Sequence, residues 1–325
     1  AARAQGRQVN TSTLPLQYLA RARTARDTRG LIKLVADSAT GRLLGAHVLA
    51  AEGSEVIQTA ALAIRFGLTL DDLMAFPAVT DMRTLECISN PVGGNLISTT
   101  VWKGTRLGDV LARAGLRPDT LEIKIESADG YSTGIPLDLA QDPYSLLAYE
   151  MGGGPLPCRH GYAVRCLFPG RYGMKQPKWV TRLEAVTEPY GGYWERQGWS
   201  NEAKIKVNSR IETPQYGDNV VVARYLVSGI AFANTSGVER VQVTTDNGQT
   251  WAEAKLLKGP STRVWTHWWH EWETSAKGSH IIQASATDGN GVSQSARAGG
   301  SFLSGTFPDG TSGIHVVAAF VRKEP

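Results

Sequence analysis

Three features of the sequence predict an α+β fold class. Two apolar runs near the start, at 29–36 and 43–49, flank a polar turn and lead into a helical spacing of apolar residues. A middle stretch, 116–187, alternates short strand-like runs with Gly- and Pro-rich loops. After about Trp199 the pattern becomes all β, with alternating apolar residues between turn signals.

The first pair of runs reads as a hairpin closed by Ala39-Thr40-Gly41-Arg42. Ser54 then caps a predicted helix in which Ile57, Ala60, Ala61 and Ile64 fall at i, i+3, i+4 and i+7, and Gly67 ends it. A second predicted helix carries Leu107, Val110, Leu111 and Ala114 on one face and stops at Gly115. A strand leading to Cys87 lies between the two. Gly152-Gly153-Gly154-Pro155 and Pro169-Gly170 mark sharp turns further on. In the last part, Val241 and Val243 precede the turn Asp246-Asn247-Gly248. Ile282, Ala284 and Ala286 precede Asp288-Gly289-Asn290-Gly291. Such strands predict an immunoglobulin-like β-sandwich. Trp265, Trp268, Trp269 and Trp272 read as strand packing and interface.

The chain has 325 residues, enough for two or three domains each with a core. Hydrophobic content of 42% and charged content of 20% are those of an ordinary globular protein. A net charge of +4 suits an anionic ligand and makes no case for nucleic acid. No run is long and apolar enough to predict a membrane span. The charged, apolar and cleavage regions of a signal peptide are not seen at the N-terminus, so the sequence leaves the compartment open. Three cysteines at irregular spacing, Cys87, Cys158 and Cys166, form neither a disulfide framework nor a zinc site. Cys158 and Cys166 read as structural.

The most telling phrase is Thr84-Leu85-Glu86-Cys87-Ile88-Ser89-Asn90-Pro91-Val92-Gly93-Gly94. A cysteine follows an apolar strand and opens a loop rich in turn residues. Thiolate is a soft ligand and selects soft or high-valent metals over magnesium or calcium. Other phrases follow in a fixed order: Trp102-Lys103-Gly104-Thr105-Arg106-Leu107, Ser127-Ala128-Asp129-Gly130-Tyr131, Leu146-Leu147-Ala148-Tyr149-Glu150-Met151, His160-Gly161 and Gly173-Met174-Lys175-Gln176-Pro177-Lys178-Trp179.

With these phrases, the chain from about residue 70 onward resembles the sulfite oxidase superfamily of molybdopterin-dependent oxidoreductases. The start resembles something else. Thr28-Arg29-Gly30-Leu31-Ile32-Lys33-Leu34-Val35, Gly41-Arg42-Leu43-Leu44-Gly45-Ala46-His47 and Glu55-Val56-Ile57-Gln58-Thr59-Ala60 are similar to the C-terminal dimerisation domain of mercuric reductase and related enzymes. The resemblance implies a small α+β domain over 1–68, a mixed α/β molybdopterin-binding domain over 69–198 and an immunoglobulin-like dimerisation domain over 199–325. The join falls within 67–79.

The resemblance also implies a molybdenum–molybdopterin cofactor, with a dithiolene for the metal and a phosphate at its tail. Cys87 matches the family's metal ligand, bound as thiolate. His160, Arg165 and Lys178 match its phosphate contacts, Arg as a planar fork and Lys as a point charge. Asp129 matches a pterin hydrogen-bond acceptor. Asn90 is a candidate either for the cofactor or for shaping the loop after Cys87, Lys175 either for the cofactor or as a solvated cation, and Gln176 and Pro177 are expected to approach through backbone groups. Tyr190 and Tyr193 lie where the family often places a tyrosine near the metal's oxo group. The implied reaction is a two-electron oxygen-atom transfer on a small substrate. The implied partners are a separate electron acceptor such as a cytochrome and a second copy of the chain, with no nucleic acid and no membrane span.

The sequence departs from the two resembled families in three ways, the first two concerning the molybdopterin-dependent part and the flavin fingerprint the reductase-like part. Pro91 and Val92 stand where sulfite-specific members carry arginines. The reductase-like segment occupies the place of an upstream cofactor-binding segment. No Gly-x-Gly-x-x-Gly flavin fingerprint and no haem attachment motif occur. A second reading follows: a catalytically incomplete hybrid that serves only in oligomerisation or binding.

Overall fold

Runs of alternating apolar residues punctuated by turns make the described residues mostly β-sheet with few helices. The computed structural model describes residues 8–15, 29–40, 43–49, 76–221, 224–274, 277–295 and 305–322. Two compact units emerge. The first gathers Ala1–Thr80, Trp102–Leu167 and Pro177–Tyr193, and the second Asp81–Val101, Phe168–Gln176 and Trp194–Pro325.

In the first unit β1 (Val9–Pro15), β2 (Leu31–Asp37) and β3 (Leu43–Leu49) form an antiparallel meander. The predicted hairpin is its β2–β3 pair. The helix predicted from Ser54 lies outside the described residues. Strands β4 (Ala78–Glu86) and β5 (Ile97–Arg106) follow, and the chain changes unit within each. Helix α1 (Leu107–Ala114) buries Leu107 and Leu111 on its apolar face. Asp109 in its first turn and Arg113 in its last suit the helix dipole. The amide of Gly115 closes it, donating to the carbonyl of Leu111 at 3.1 Å.

Next come β6 (Glu122–Ser127), β7 (Ser132–Pro136), the single turn α2 (Leu137–Ala140), β8 (Leu146–Met151), β9 (Gly154–Pro155), β10 (Arg165–Leu167) and β11 (Val180–Val186). Within the first unit β8 lies between β5 and β10, with β9 paired to it, and β6 lies between β11 and β7. Alternation on β6 buries Ile123 and Ile125 and turns Glu122, Lys124 and Glu126 outward.

In the second unit β4 runs beside β5. The remaining strands are β12 (Asn208–Thr213), β13 (Asn219–Val221), β14 (Arg224–Phe232), β15 (Val238–Thr244), β16 (Ala252–Glu253), β17 (Lys255–Leu257), β18 (Thr266–Glu273), β19 (Gly278–Asp288) and β20 (His315–Arg322). They form two sheets, β12-β14-β18-β17 and β13-β20-β19-β15-β16. Both sheets feed one apolar core, in which Val227, Trp268 and Trp272 meet Val241, Val243, Ile282, Ala284, Ala286 and Val317. Two of the four clustered tryptophans thus pack inward, as the alternation requires. A second apolar cluster joins Ile88, Tyr172, Met174, Ala203, Ile205 and Phe232. It seats the residue after Cys87.

Candidate functional site

Cys87 closes β4 in the second unit, half-buried, at the first position of a tight loop. Backbone bonds pin that loop. The Cys87 amide donates to the carbonyl of Leu96 at 3.0 Å, and the Asn90 amide donates to the carbonyl of Cys87 at 3.0 Å. The Cys87 sulfur lies 3.0 Å from the Ser89 hydroxyl oxygen. Gly93 holds φ at 70°, and a Cβ there would stand 2.3 Å from the ring of His315, so the loop tip requires glycine.

Asn90 is buried and works within the loop. Its Nδ2 donates to Glu86 Oε1 at 2.9 Å, and its Oδ1 accepts from the Leu96 amide at 2.9 Å. Glu86 receives a second amide from Asn208 Nδ2 at 3.0 Å. Burial pushes the Glu86 carboxyl up to about 7, and the bonds from Asn90 and Asn208 and the charge of Arg210 offset part of that.

A short 3₁₀ turn, Gly173–Lys175, lies against the same loop: the Cβ direction of Gly173 meets the Glu86 carbonyl at 3.4 Å. Lys175 is buried and ion-paired with the buried Glu195. Gln176 is buried too. Its Oε1 accepts from the Phe168 amide at 2.6 Å, and its Nε2 donates to the carbonyls of Phe168 and Arg171 at 2.8 and 2.9 Å. In the second unit, then, the structure brings together Cys87, Asn90 and the turn that carries Lys175 and Gln176.

The other candidates belong to the first unit. A 3₁₀ turn, Cys158–His160, ends at Gly161, whose φ is 111°. A Cβ on Gly161 would meet the Cβ atoms of Arg165 and Lys178, each at 3.0 Å. Three side chains donate to three successive carbonyls of this turn: Trp179 Nε1 to Cys158 at 2.8 Å, Lys178 Nζ to Arg159 at 3.1 Å and Arg165 Nη1 to His160 at 3.0 Å. The Arg165 guanidinium also stacks over the Trp102 ring, 5.1 Å from its centre. Pro177 contributes its carbonyl, which accepts from the Cys166 amide at 2.9 Å. The buried Cys166 thiol is pushed well above its ordinary range by burial.

His160 thus sits among the cations Arg159, Arg165 and Lys178. Burial holds Arg165 down to about 10. Burial and the neighbouring Arg165 hold Lys178 below the usual lysine range, while Asp129 acts in the opposite sense. Burial, then Arg159, Arg165 and Lys178, hold His160 low. Partly desolvated cations that repel one another suit a phosphate, whose charge relieves both penalties. The donor chemistry of this group therefore fits a phosphate-tailed cofactor, and the pinned Cys87 sulfur fits a thiolate ligand.

Asp129 sits in the turn between β6 and β7, and its Oδ1 accepts from the Tyr131 amide at 3.0 Å. Tyr190 is held to the same hairpin: its hydroxyl lies 2.9 Å from Ser132 Oγ, and its amide donates to Glu122 Oε2 at 2.8 Å. The amide of Tyr193 donates to the Ser132 carbonyl at 2.9 Å, and its exposed ring tilts toward Tyr131 with centres 6.4 Å apart.

Sequence reasoning missed Glu86, Asn208, Trp102, Trp179 and Glu195. A carboxylate next to the cysteine, at the end of an apolar strand, was the one signal on offer for Glu86. The partners are 122 positions apart for Glu86 and Asn208 and 20 for Lys175 and Glu195, and no local period encodes them.

Comparison with known proteins bears on this arrangement. Residues 57–194 match the oxidoreductase molybdopterin binding domain, 200–297 the Mo-co oxidoreductase dimerisation domain, and 1–80 the pyridine nucleotide-disulphide oxidoreductase dimerisation domain. Mitochondrial sulfite oxidase of Rattus norvegicus is 33% identical over 273 residues, covering 71% of this chain and 48% of its own. The uncharacterized oxidoreductase YuiH of Bacillus subtilis (strain 168) is 32% identical over 132 residues, covering 41% of this chain and 65% of its own. The chain spans about half the length of the mitochondrial sulfite oxidases it matches. Among solved structures, the sulfane dehydrogenase SoxCD from Paracoccus pantotrophus superposes with a TM-score of 0.65 at 21% identity, covering 79% of this chain and 75% of that one. That likeness concerns the fold alone. Residues 57–194 and 200–297 thus match the two domain types of molybdopterin-dependent oxidoreductases and are similar to the sulfite oxidases, and residues 1–80 match a disulphide-oxidoreductase dimerisation domain.

Proposed function

We propose that the protein is a molybdenum-cofactor-dependent oxidoreductase of the sulfite oxidase type. The observation that carries this reading is the placement of Cys87: a half-buried sulfur at the first position of a loop pinned on both sides, in a chain that matches a molybdopterin-binding domain. When bound, the cofactor supplies two-electron oxygen-atom transfer. Cys87 holds the metal as thiolate. His160, Arg165 and Lys178 bind the phosphate, and Asp129 orients the pterin as a hydrogen-bond acceptor. Lys175, Gln176 and Pro177 shape the surrounding wall, with Gln176 and Lys175 fixed by Phe168, Arg171 and Glu195. Tyr190 is the better-anchored of the two tyrosines for a role near the reacting oxygen, through Ser132 and Glu122.

The substrate is small. Pro91 and Val92 give the loop no charge with which to hold an anion, so sulfite binds more weakly here than in arginine-bearing members. We further propose domains at 1–68, 69–198 and 199–325. The first is a small α+β unit and the last an immunoglobulin-like sandwich through which the chain forms a homodimer. A separate carrier such as a cytochrome takes the electrons.

Molybdenum analysis of the protein, expressed with cofactor supply, tests this. One metal per chain is expected, with loss of turnover and of thiolate-to-metal absorption in Cys87→Ser. A metal-free protein under those conditions sinks the reading. One observation favours a second reading, an oligomerisation module without catalysis: residues 1–80 match a dimerisation domain from an unrelated enzyme family. The same metal analysis separates the two.

A further inference from the structure

We infer that Asn208 and Arg210, on β12, are positioning residues for the Cys87 sulfur. The inference rests on the proposed reading of Cys87 as metal ligand and adds to it a source of the loop's rigidity far away in the chain.

The burial of β12 alternates: Ser209 and Ile211 face the sandwich core, where Ser209 Oγ donates to the Ala284 carbonyl at 2.9 Å. Asn208 and Arg210 therefore share the opposite face. That face touches the cysteine loop at two points. Asn208 Nδ2 donates to Glu86 Oε2 at 3.0 Å, and Arg210 Nη1 donates to the Gly94 carbonyl at 2.6 Å. Glu86 is 4% exposed and accepts Asn90 on its other oxygen, so Asn208 and the loop residue grip one carboxylate between them. Arg210 is steadied in turn by Glu212 through Nε at 2.9 Å. A third contact completes the bed. The ring of His315 fills the space above Gly93, and its Nδ1 accepts from the Ile211 amide at 3.0 Å. The cavity left between loop and strand is about 20 Å³, room for one water molecule.

The loop therefore has no slack on its β12 side. The torsions that aim the sulfur are set jointly by the residues before and after it and by this strand. Removing either donor frees one end of the loop without touching any group that would contact the cofactor. The expected result is a sulfur that still binds the metal but at an altered angle.

The test uses the holoenzyme of Asn208→Ala and of Arg210→Met, which keeps an unbranched stem but no donor, compared with the parent. Three quantities are read: metal per chain, the thiolate-to-metal charge-transfer band, and kcat and KM. We expect metal content within about twofold of the parent, a shifted or weakened band, and kcat reduced about threefold to tenfold with KM little changed, the scale of one lost hydrogen bond. Should Asn208→Ala fail to fold, Arg210→Met decides by itself. A band identical to the parent's in every folded variant overturns the inference, whatever the stability change. A parent protein with metal but no thiolate band overturns the Cys87 assignment itself, and that is seen before any variant is made.

Discussion

Arg165 donates from Nη1 to the carbonyl oxygen of His160 at 3.0 Å, binding a cation of β10 to the turn that presents the histidine. Two candidate phosphate contacts are thus one mechanical piece, and Trp102 supports it from below.

Replacing Arg165 should therefore cost more than one charge. Arg165→Ala removes the fork and frees the His160 carbonyl, so cofactor content should fall about tenfold or more, the scale of a charged hydrogen bond worth about 1.5–3 kcal/mol. Arg165→Lys keeps the charge but not the planar fork and should recover only part of it. Extraction and fluorescence of the oxidised pterin measures this. Equal content in Arg165→Ala and parent counts against the site.

The cations hold His160 below its ordinary range, through burial first and then Arg159, Arg165 and Lys178. An anion bound among them favours the imidazolium. Sulfate, an anion of phosphate shape whose charge is constant in this range, should then bind the cofactor-free protein more tightly as pH falls from neutral to about 5, with proton uptake on binding. Titration calorimetry in buffers of different ionisation enthalpy reads that uptake. His160→Gln should abolish this part of the pH dependence, and its persistence in the variant would point to another group.

Glu86 gives a signed dependence of stability on pH. Its carboxyl rises from 4.5 to about 7 on folding, burial being the main cause. The folded state holds the proton more tightly than the unfolded one, so stability falls as pH climbs from about 4.5 to about 7 and levels off above. The full effect is about 3 kcal/mol. Glu86→Gln lacks this ionisation. Its stability relative to the parent should improve across that window, whatever the fixed offset from altered bonds with Asn90 and Asn208. Urea unfolding at several pH values measures the difference, and a flat difference contradicts the assignment.

Trp268 is 1% exposed at the centre of the core shared by the two sheets of the second unit. Trp268→Ala should cost about 3–5 kcal/mol. Denaturant unfolding at fixed pH should show the midpoint falling with little change in slope. A loss under about 1 kcal/mol would mean the two sheets do not depend on this contact.

What was legible in the sequence was local. The alternation of Val241 with Val243 and of Ile282 with Ala284 announced β15 and β19, and Leu107 with Leu111 announced α1, because burial on one face imposes a period that neighbours share. The Cys87 loop was legible through its turn residues and its ordered companions. What stayed hidden depends on pairings across the chain. Asn90 was open between the cofactor and the shaping of the loop, and the partners its side chain joins there are Glu86 and Leu96. Lys175 was read as a free cation or a cofactor contact, whereas Glu195 holds it in a buried pair. Neither partner follows from spacing.

The polypeptide crosses between its two compact units five times, after residues 80, 101, 167, 176 and 193. No single cut within that span yields either unit whole. Truncation between residues 81 and 193, the usual way to assign an activity to a fragment, would here break both units at once. Point substitution is the tool this architecture permits there.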